Sequence, residues 1–190
     1  MKLSKIAMLC KREKSIALLN DPALNGTQFL GTDSALYRVD GLPELDKDVI
    51  FALSDIPEDK QDEYNFRMLG MSYQDVRDLS PTDVSAHRVG FPIMCQGILL
   101  RQYSKAIPSE ISAFLDETYL APFTDERKPP EIYLRGGAED PIFAVKTGLI
   151  LRALVFPAPV ESQPFIESIN EMSITVNAKL ECRRRMGMEE

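Results

Sequence analysis

Apolar residues in this chain recur with two different spacings, which predict helices in some stretches and strands in others. In residues 2–13, Leu3, Ile6 and Cys10 share one helical face while lysine and arginine occupy the rest, which predicts a short amphipathic helix. Apolar runs of strand length follow. They predict strands at residues 15–19, 27–30, 35–39, 91–103 and 131–134, with Gly97 as a bulge or kink in the fourth of these. Residues 48–53 are ambiguous, but their β-branched and aromatic content favours a strand.

The clearest strand signal lies in residues 141–159, PIFAVKTGLILRALVFPAP. Two apolar segments flank Lys146-Thr147-Gly148, so this stretch predicts a β-hairpin with a tight turn. An isolated hairpin is only marginally stable in water, and this one therefore belongs to a larger sheet. The pattern predicts a packed sheet protein rather than a coiled coil or a disordered chain.

Four stretches after the first helix predict further helical structure. Pro57 suits the first turn of a helix over residues 57–68. Residues 72–79 predict one or two helical turns, and Ser109 is placed to cap a helix over residues 110–119. The longest helix is predicted over residues 162–185.

This long C-terminal helix carries the candidate partner surface. Its apolar positions are spaced by four, three, four and four residues, and three arginines follow at its end. Such a stripe must be buried, so we expect it to pack on the protein's own sheet, with a dimer interface as the alternative. The arginines complement the helix dipole, and contact with an acidic partner or a phosphate is the alternative role. The surface consists of Phe165, Ile169, Met172, Val176, Leu180, Arg183, Arg184 and Arg185.

Together these elements predict an α+β fold, in which helices flank a mainly antiparallel sheet and the last helix is long. Residues 1–160 form the α+β domain in this interpretation, and residues 161–190 form a C-terminal helix packed on it. The order of helix and then three strands occurs twice, in residues 1–53 and 109–160. Residues 29–43 overlay residues 143–157 with three identities, pairing Phe29 with Phe143, Arg38 with Arg152 and Pro43 with Pro157.

The repeated order resembles the building unit of DNA sliding clamps, in which helix-plus-sheet modules repeat to make a processivity ring. The second copy, with EIYLRGG, PIFAVKTG and LILRALVFPAP, carries most of the likeness, over residues 111–160, and residues 2–43 carry the rest. The resemblance rests on element order and hydrophobic pattern, so it assigns no functional residue. It departs from the family where a basic helix would line the pore, because the predicted helix 110–119 is acidic.

Charge and cysteine content narrow the classes of function. The 190 residues carry a net charge of -7 that is spread over both halves, which disfavours nucleic acid as a partner unless the protein is clamp-like. No apolar run has the length of a membrane span, so no membrane partner is expected. Cys10, Cys95 and Cys182 are too far apart for a disulfide framework, and a reducing cytoplasm is the expected location.

Candidate catalytic chemistry is sparse. His87 is the single histidine, which excludes a multi-histidine metal site within one chain. The glycine-rich stretch 135–140 reads as a β-turn, and the acids of residues 46–63 read as a solvated face. Basic neighbours of Cys10 and Cys182 would lower a thiol pKa, whereas Cys95 lies in an apolar run and is expected to be buried. No cofactor and no metal are expected.

The protein is therefore expected to be a non-enzymatic intracellular interaction protein with a protein partner or self-association, and the resemblance implies a sliding-clamp-like one. The alternative is an enzyme or small-ligand binder whose site is built from arginine and carboxylate side chains.

Overall fold

The computed structural model describes residues 1–20, 26–70, 76–95, 97–105, 112–137 and 140–159, together with positions 171, 172, 174, 175, 178, 179, 182 and 183. Two α-helices, ten strands and two 3₁₀ helices make up its main elements. The helices are α1 (Leu3–Glu13) and α2 (Lys47–Leu53), and the 3₁₀ helices are Glu58–Glu63 and Glu117–Phe123. The strands are β1 (Ser15–Asn20), β2 (Gln28–Gly31), β3 (Ala35–Val39), β4 (Asn65–Leu69), β5 (Val84–Cys95), β6 (Ile98–Lys105), β7 (Ser112–Asp116), β8 (Glu131–Arg135), β9 (Ile142–Thr147) and β10 (Ile150–Val155).

All ten strands join one sheet in the order β4-β1-β2-β3-β10-β9-β8-β5-β6-β7. Every described pairing is antiparallel except that of β1 with β4. The predicted α+β class with a mainly antiparallel sheet is therefore confirmed. At the centre of the sheet, β3 pairs with β10 from Tyr37 opposite Ala153 to Ala35 opposite Val155.

The larger core lies where the helices cover one face of the sheet. Ile6 and Leu9 of α1 and Phe51 of α2 are buried there against alternate residues of the strands. The Glu117–Phe123 helix packs on the same side, where the Tyr37 hydroxyl donates a 2.8 Å hydrogen bond to the Tyr119 carbonyl oxygen. This buried bond links the N-terminal strands to the C-terminal half of the chain.

A second core lies on the opposite face of the central strands. It contains Phe29, Leu36, Ala144, Leu151 and Leu154, all nearly inaccessible to solvent. Burial on both faces explains why these strands read as continuous apolar runs rather than as alternating ones.

The strand predicted at residues 48–53 is wrong, because this segment is the helix α2. The Asp46 carboxylate accepts a hydrogen bond from the Val49 backbone N–H at 2.8 Å, and this cap starts the helix. Ile50 and Phe51 are buried on one helical face. Six residues are too few to distinguish the helical spacing of apolar residues from the strand spacing by sequence alone.

The helix predicted over residues 57–68 ends much earlier than expected. Only Glu58–Glu63 is helical, as a 3₁₀ helix, and the next residues form β4. The Asn65 N–H donates to the Lys14 carbonyl oxygen at 2.9 Å, which starts the parallel pairing of β4 with β1. Long-range pairing therefore overrides the local helical tendency. Of the helical turns predicted at 72–79, residues 71–75 lie outside the described residues and 76–79 are not helical.

Two predictions in the middle of the chain are also wrong. The single strand predicted at 91–103 is a hairpin of β5 and β6, and Gly97, with φ +81°, lies in its turn rather than in a bulge. The helix predicted at 110–119 is replaced, in its described part, by β7 followed by the Glu117–Phe123 helix. Pairing with β6 holds residues 112–116 extended, which a local capping signal does not reveal.

The predicted hairpin at 141–159 is confirmed as β9 and β10. Its turn is displaced slightly, because Thr147 pairs with Ile150 and leaves Gly148 and Leu149 in the loop. Of the long C-terminal helix, the eight described positions between 171 and 183 are helical and exposed, and the remainder lies outside the described residues. None of the helices described is long and apolar enough to cross a membrane.

Candidate interaction surface

The β5–β6 hairpin is the longest hairpin in the described part of the chain, and we call it the arm. Its strands pair from Ala86 opposite Lys105 to Cys95 opposite Ile98. The register shifts between Val89 and Ile93, where β5 carries two more residues than β6. Proline has no N–H to donate and glycine weakens a strand, so Gly90-Phe91-Pro92 is a natural place for this bulge.

The end of the arm, which we call the tip, exposes three large apolar side chains. Met94 is 66% exposed, and Ile98 and Leu99 are each 44% exposed. These residues extend past β7, because β7 pairs with β6 only from Leu100 onward. Adjacent exposed apolar residues on a protein surface mark a site of interaction with another molecule more often than isolated ones do.

A small apolar cluster anchors the tip to the body of the protein. Leu100 and Phe114 are buried, and Ile93, Cys95 and Ala158 pack against them. The Ala158 N–H donates to the Phe114 carbonyl oxygen at 2.8 Å, which ties the segment after β10 to the outer edge of β7. These contacts fix the position of the tip relative to the rest of the protein.

Cations surround the base of the arm. Arg88 donates through Nε to the Tyr103 hydroxyl at 3.0 Å, and its other nitrogen contacts Glu117 Oε1 at 2.8 Å. Arg101 Nε lies 3.6 Å from the same carboxylate oxygen. Two guanidinium groups thus share the Glu117 carboxylate. Burial raises the pKa of Tyr103, although the hydrogen bond from Arg88 opposes that effect, so the phenol stays neutral.

A second polar site lies at the other end of β5, around Asp83. Arg135 donates to both oxygens of the Asp83 carboxylate, at 2.7 and 3.0 Å, and Lys146 also donates to it. All three side chains are at most 8% exposed. Burial alone would raise the pKa of Asp83, but the hydrogen bonds from Arg135 and Lys146 more than offset this and lower it.

A groove of about 750 Å³ opens beside this ionic cluster. Arg135 and Thr82 line it together with Gly136, Asp140, Phe156 and Pro157. The Gly136 N–H donates to the Thr82 hydroxyl at 3.1 Å, which joins the 135–140 turn to the segment before β5. The groove thus combines polar groups with apolar walls, and the Arg135 guanidinium at its edge is already bound to Asp83.

The predicted C-terminal surface is only partly within the described residues. Met172, which is 53% exposed, and Arg183 both lie at exposed helical positions. The other predicted residues of this surface lie outside the described residues: Phe165, Ile169, Val176, Leu180, Arg184 and Arg185. No described contact brings Met172 or Arg183 to the arm or to the Asp83 cluster.

The remaining candidates have structural explanations. Burial raises the pKa of Cys10 to about 12, so the effect expected from its basic neighbours is wrong. Its thiol donates to the Gly31 carbonyl oxygen at 3.3 Å. Cys95 is half-buried and His87 is exposed on β5. Within the described ranges, no three His, Cys, Asp or Glu side chains lie close enough to hold a metal ion.

Sequence reasoning misses the arm because the apolar run over residues 91–103 predicts one strand. A signal was nevertheless present, since residues 84–105 contain Arg88, Arg101 and Lys105 but no acidic residue, in a chain with 29 acidic residues.

The chain matches no protein-family model, no curated protein and no solved structure.

Proposed function

We propose that this protein is a non-enzymatic interaction protein that binds a protein partner through the tip of its arm. The observation that carries the proposal is the exposure of Met94 and Leu99, which are paired across the two strands at the end of an anchored hairpin, with Ile98 exposed on the opposite face. Three exposed apolar side chains lose unfavourable contact with water when a partner covers them.

The anchoring of the tip strengthens this proposal. Binding costs less free energy when the binding segment is already ordered, because little conformational entropy remains to be lost. The packing of Leu100 and Phe114 under the tip, and the arginine contacts to Glu117, provide that order.

We also propose a clamp-like arrangement of two related units, which the strand order supports. The helix α1 precedes β1, β2 and β3, and the Glu117–Phe123 helix precedes β8, β9 and β10. The third strands of the two units pair antiparallel, and the order β1-β2-β3-β10-β9-β8 is the one expected if a twofold axis relates the two units. A cytoplasmic location is part of the proposal, and the three free cysteines support it.

The test is retention of a partner by the immobilised protein in an extract of the cells that express it. The double variant Met94→Ser/Leu99→Ser should lose the retained protein. Leu149→Ser is the matched control, because Leu149 is a 72% exposed apolar residue in the β9–β10 turn, outside the arm. If the double variant retains the same protein as the wild type does, the tip is not the binding surface and the proposal is wrong.

The groove beside Asp83 supports a second candidate function, binding of a small ligand with an anionic group. A Cβ atom added at Gly137 would meet no atom within 4 Å, so Gly137→Leu can obstruct the groove without strain. If the groove is a binding site, inorganic phosphate or a dicarboxylate such as succinate should raise the Tm of the wild type in a saturable manner and have no effect on Gly137→Leu. Equal shifts in both proteins, or none, would argue against this site.

A further inference from the structure

Opposite charges in this protein are concentrated in two separate segments. Residues 44–63 contain eight acidic and two basic residues, a net charge of -6 compared with -7 for the whole chain. The arm, residues 84–105, contains three basic residues and no acidic one. The protein therefore presents a positive element and a negative element on the same chain.

The negative element contains a groove of about 570 Å³ between α2 and the Glu58–Glu63 helix, which we call the acidic groove. Its lining combines Ala52, Ile56 and Pro57 with the polar side chains of Asp48, Glu58 and Gln61. No ion pair between described residues includes Asp48 or Glu58. Their charges are therefore available to a cation from outside.

The tip and the acidic groove belong to opposite ends of the strand order. Phe51 of α2 packs on Phe66 of β4 with ring centroids 6.3 Å apart, and β4 is the first strand of the order. The strands of the arm, β5 and β6, are the eighth and ninth. No described residue of the arm lines the acidic groove of its own chain, so the groove is open to another molecule.

We propose that the tip of one copy docks in the acidic groove of a second copy of this chain. The apolar side chains of the tip cover the apolar residues of the groove, and Arg101, two residues along β6 from Leu99, approaches Asp48 and Glu58. Charge complementarity favours this partner, because the basic arm and the acidic groove have opposite charges and every copy of the chain carries both. The inference rests on the proposed function and names the partner of the same tip.

The two surfaces of this contact are different, so the association is heterologous. Each docked copy retains one free tip or one free acidic groove, to which a further copy can bind. Assembly should therefore depend on protein concentration, and it should weaken with salt because the contact is partly electrostatic.

Sedimentation equilibrium of the whole protein tests the contact. The wild type should exceed the 21.4 kDa mass of one chain as concentration rises, and 0.5 M NaCl should raise its Kd at least tenfold. Met94→Ser/Leu99→Ser and Glu58→Lys should each remain monomeric over the same range. Asp62→Lys is the matched control, because it makes the same charge change on the same 3₁₀ helix outside the groove lining and should assemble as the wild type does.

Mixing the two defective variants tests the pairing directly. The tip variant retains its acidic groove and Glu58→Lys retains its tip, so an equimolar mixture should form a 1:1 complex although neither variant associates alone. Circular dichroism and Tm of each variant establish that it is folded before this comparison.

A wild type that stays monomeric at all concentrations would overturn the inference, as would assembly that persists in Glu58→Lys or a mixture that forms no complex. Wild type that stays monomeric but binds phosphatidylcholine vesicles containing 30% phosphatidylglycerol would assign the tip to an anionic lipid surface instead. If the wild type is monomeric but still retains another protein through its tip, this inference fails while the proposed function stands. If retention is also insensitive to the tip variant, both fail.

Discussion

Asp83 is the residue whose surroundings are most unusual among the charged groups described. Its carboxylate is buried and accepts hydrogen bonds from Arg135 and Lys146, while the Lys146 ammonium also lies 5.0 Å from the centre of the Tyr133 ring. Two cations thus contact this one carboxylate. A buried ionic group left without its partner is strongly destabilising, so this residue holds together β8, β9 and the segment before β5.

Replacing Asp83 with asparagine should lower the free energy of unfolding by about 3 kcal/mol, because the buried Lys146 ammonium loses its counter-charge and Arg135 loses its ionic hydrogen bonds to Asp83. Urea denaturation at pH 7 measures this value. Asp62→Asn is the control, since that exposed carboxylate has no described ion pair, and it should change stability by less than about 0.5 kcal/mol. A loss for Asp83→Asn no greater than that of the control would contradict this account.

The same substitution should change the pH dependence of stability. The pKa of Asp83 is lowered in the folded protein, so the unfolded state binds more protons as the pH falls. The stabilisation is therefore fully present above about pH 4, near the pKa of an unfolded aspartate, and is lost as the pH falls through the lower folded pKa.

The difference in free energy of unfolding between wild type and Asp83→Asn should be largest at neutral pH and shrink toward pH 2.5. The difference isolates this residue, because the salt-bridged carboxylates of Glu63, Asp125 and Glu131, whose pKa values are also lowered, titrate in both proteins. A difference that is independent of pH would show that the ionised form of Asp83 is not what stabilises the fold.

At the scale of elements, α2 shows how a cap decides between two structures. Residues 48–53 are rich in β-branched and aromatic side chains, which favour a strand. The Asp46 side chain satisfies the Val49 N–H, and the Ile50 N–H donates to the Asp46 carbonyl oxygen at 3.0 Å, so the backbone begins a helix instead. This helix carries one wall of the acidic groove.

Asp46→Ala should therefore cost about 1 kcal/mol of stability, the usual value for loss of an N-cap. Asp46→Asn keeps a side-chain oxygen that can accept from Val49 and should be nearly neutral. Thermal and urea unfolding of both variants measure the two values. Equal losses in the two variants would point to the charge of Asp46 rather than to its capping bond.

At the scale of the whole molecule, the N-terminal and C-terminal halves share one core and one sheet. The pairing of β3 with β10 and the hydrogen bond from Tyr37 to Tyr119 both cross between the halves. The larger core draws buried residues from both, including Leu9 and Phe143. Neither half keeps its apolar surface covered without the other.

A fragment of residues 1–70 should accordingly not fold alone, because β3 would lose its partner and α1 part of its packing. Amide NMR spectra of the fragment should show little dispersion, and circular dichroism of the full chain should show one cooperative unfolding transition. Adding a fragment of residues 76–190 should restore dispersed signals. A folded 1–70 fragment would show that the N-terminal unit is autonomous.

The predictions that held were those supported by strong local patterns. The face formed by Leu3, Ile6 and Cys10 predicted α1, and the apolar runs on either side of Gly148 predicted β9 and β10. Those that failed concern segments whose state depends on distant partners. β4 forms because β1 offers it a parallel edge, and β7 forms because β6 holds it extended.

The candidate sites divide in the same way. The sequence shows that acidic residues are absent from 84–105 and abundant in 44–63. Neither pattern indicates a surface by itself, because only folding places Met94 beside Leu99. Asp83 is separated along the chain from Arg135 by 52 residues and from Lys146 by 63, so the three form no local motif.

The amino-acid sequence by itself determined the α+β class, the mainly antiparallel sheet and the positions of α1, β1 to β3 and β8 to β10, because turn chemistry and hydrophobic period act over a few residues. Tertiary structure decided the strand order, the conversion of residues 48–53 into a helix, the arm and the Asp83 cluster. These depend on hydrogen bonds and burial between residues far apart in the chain, whose free energy is gained only when the sheet is complete.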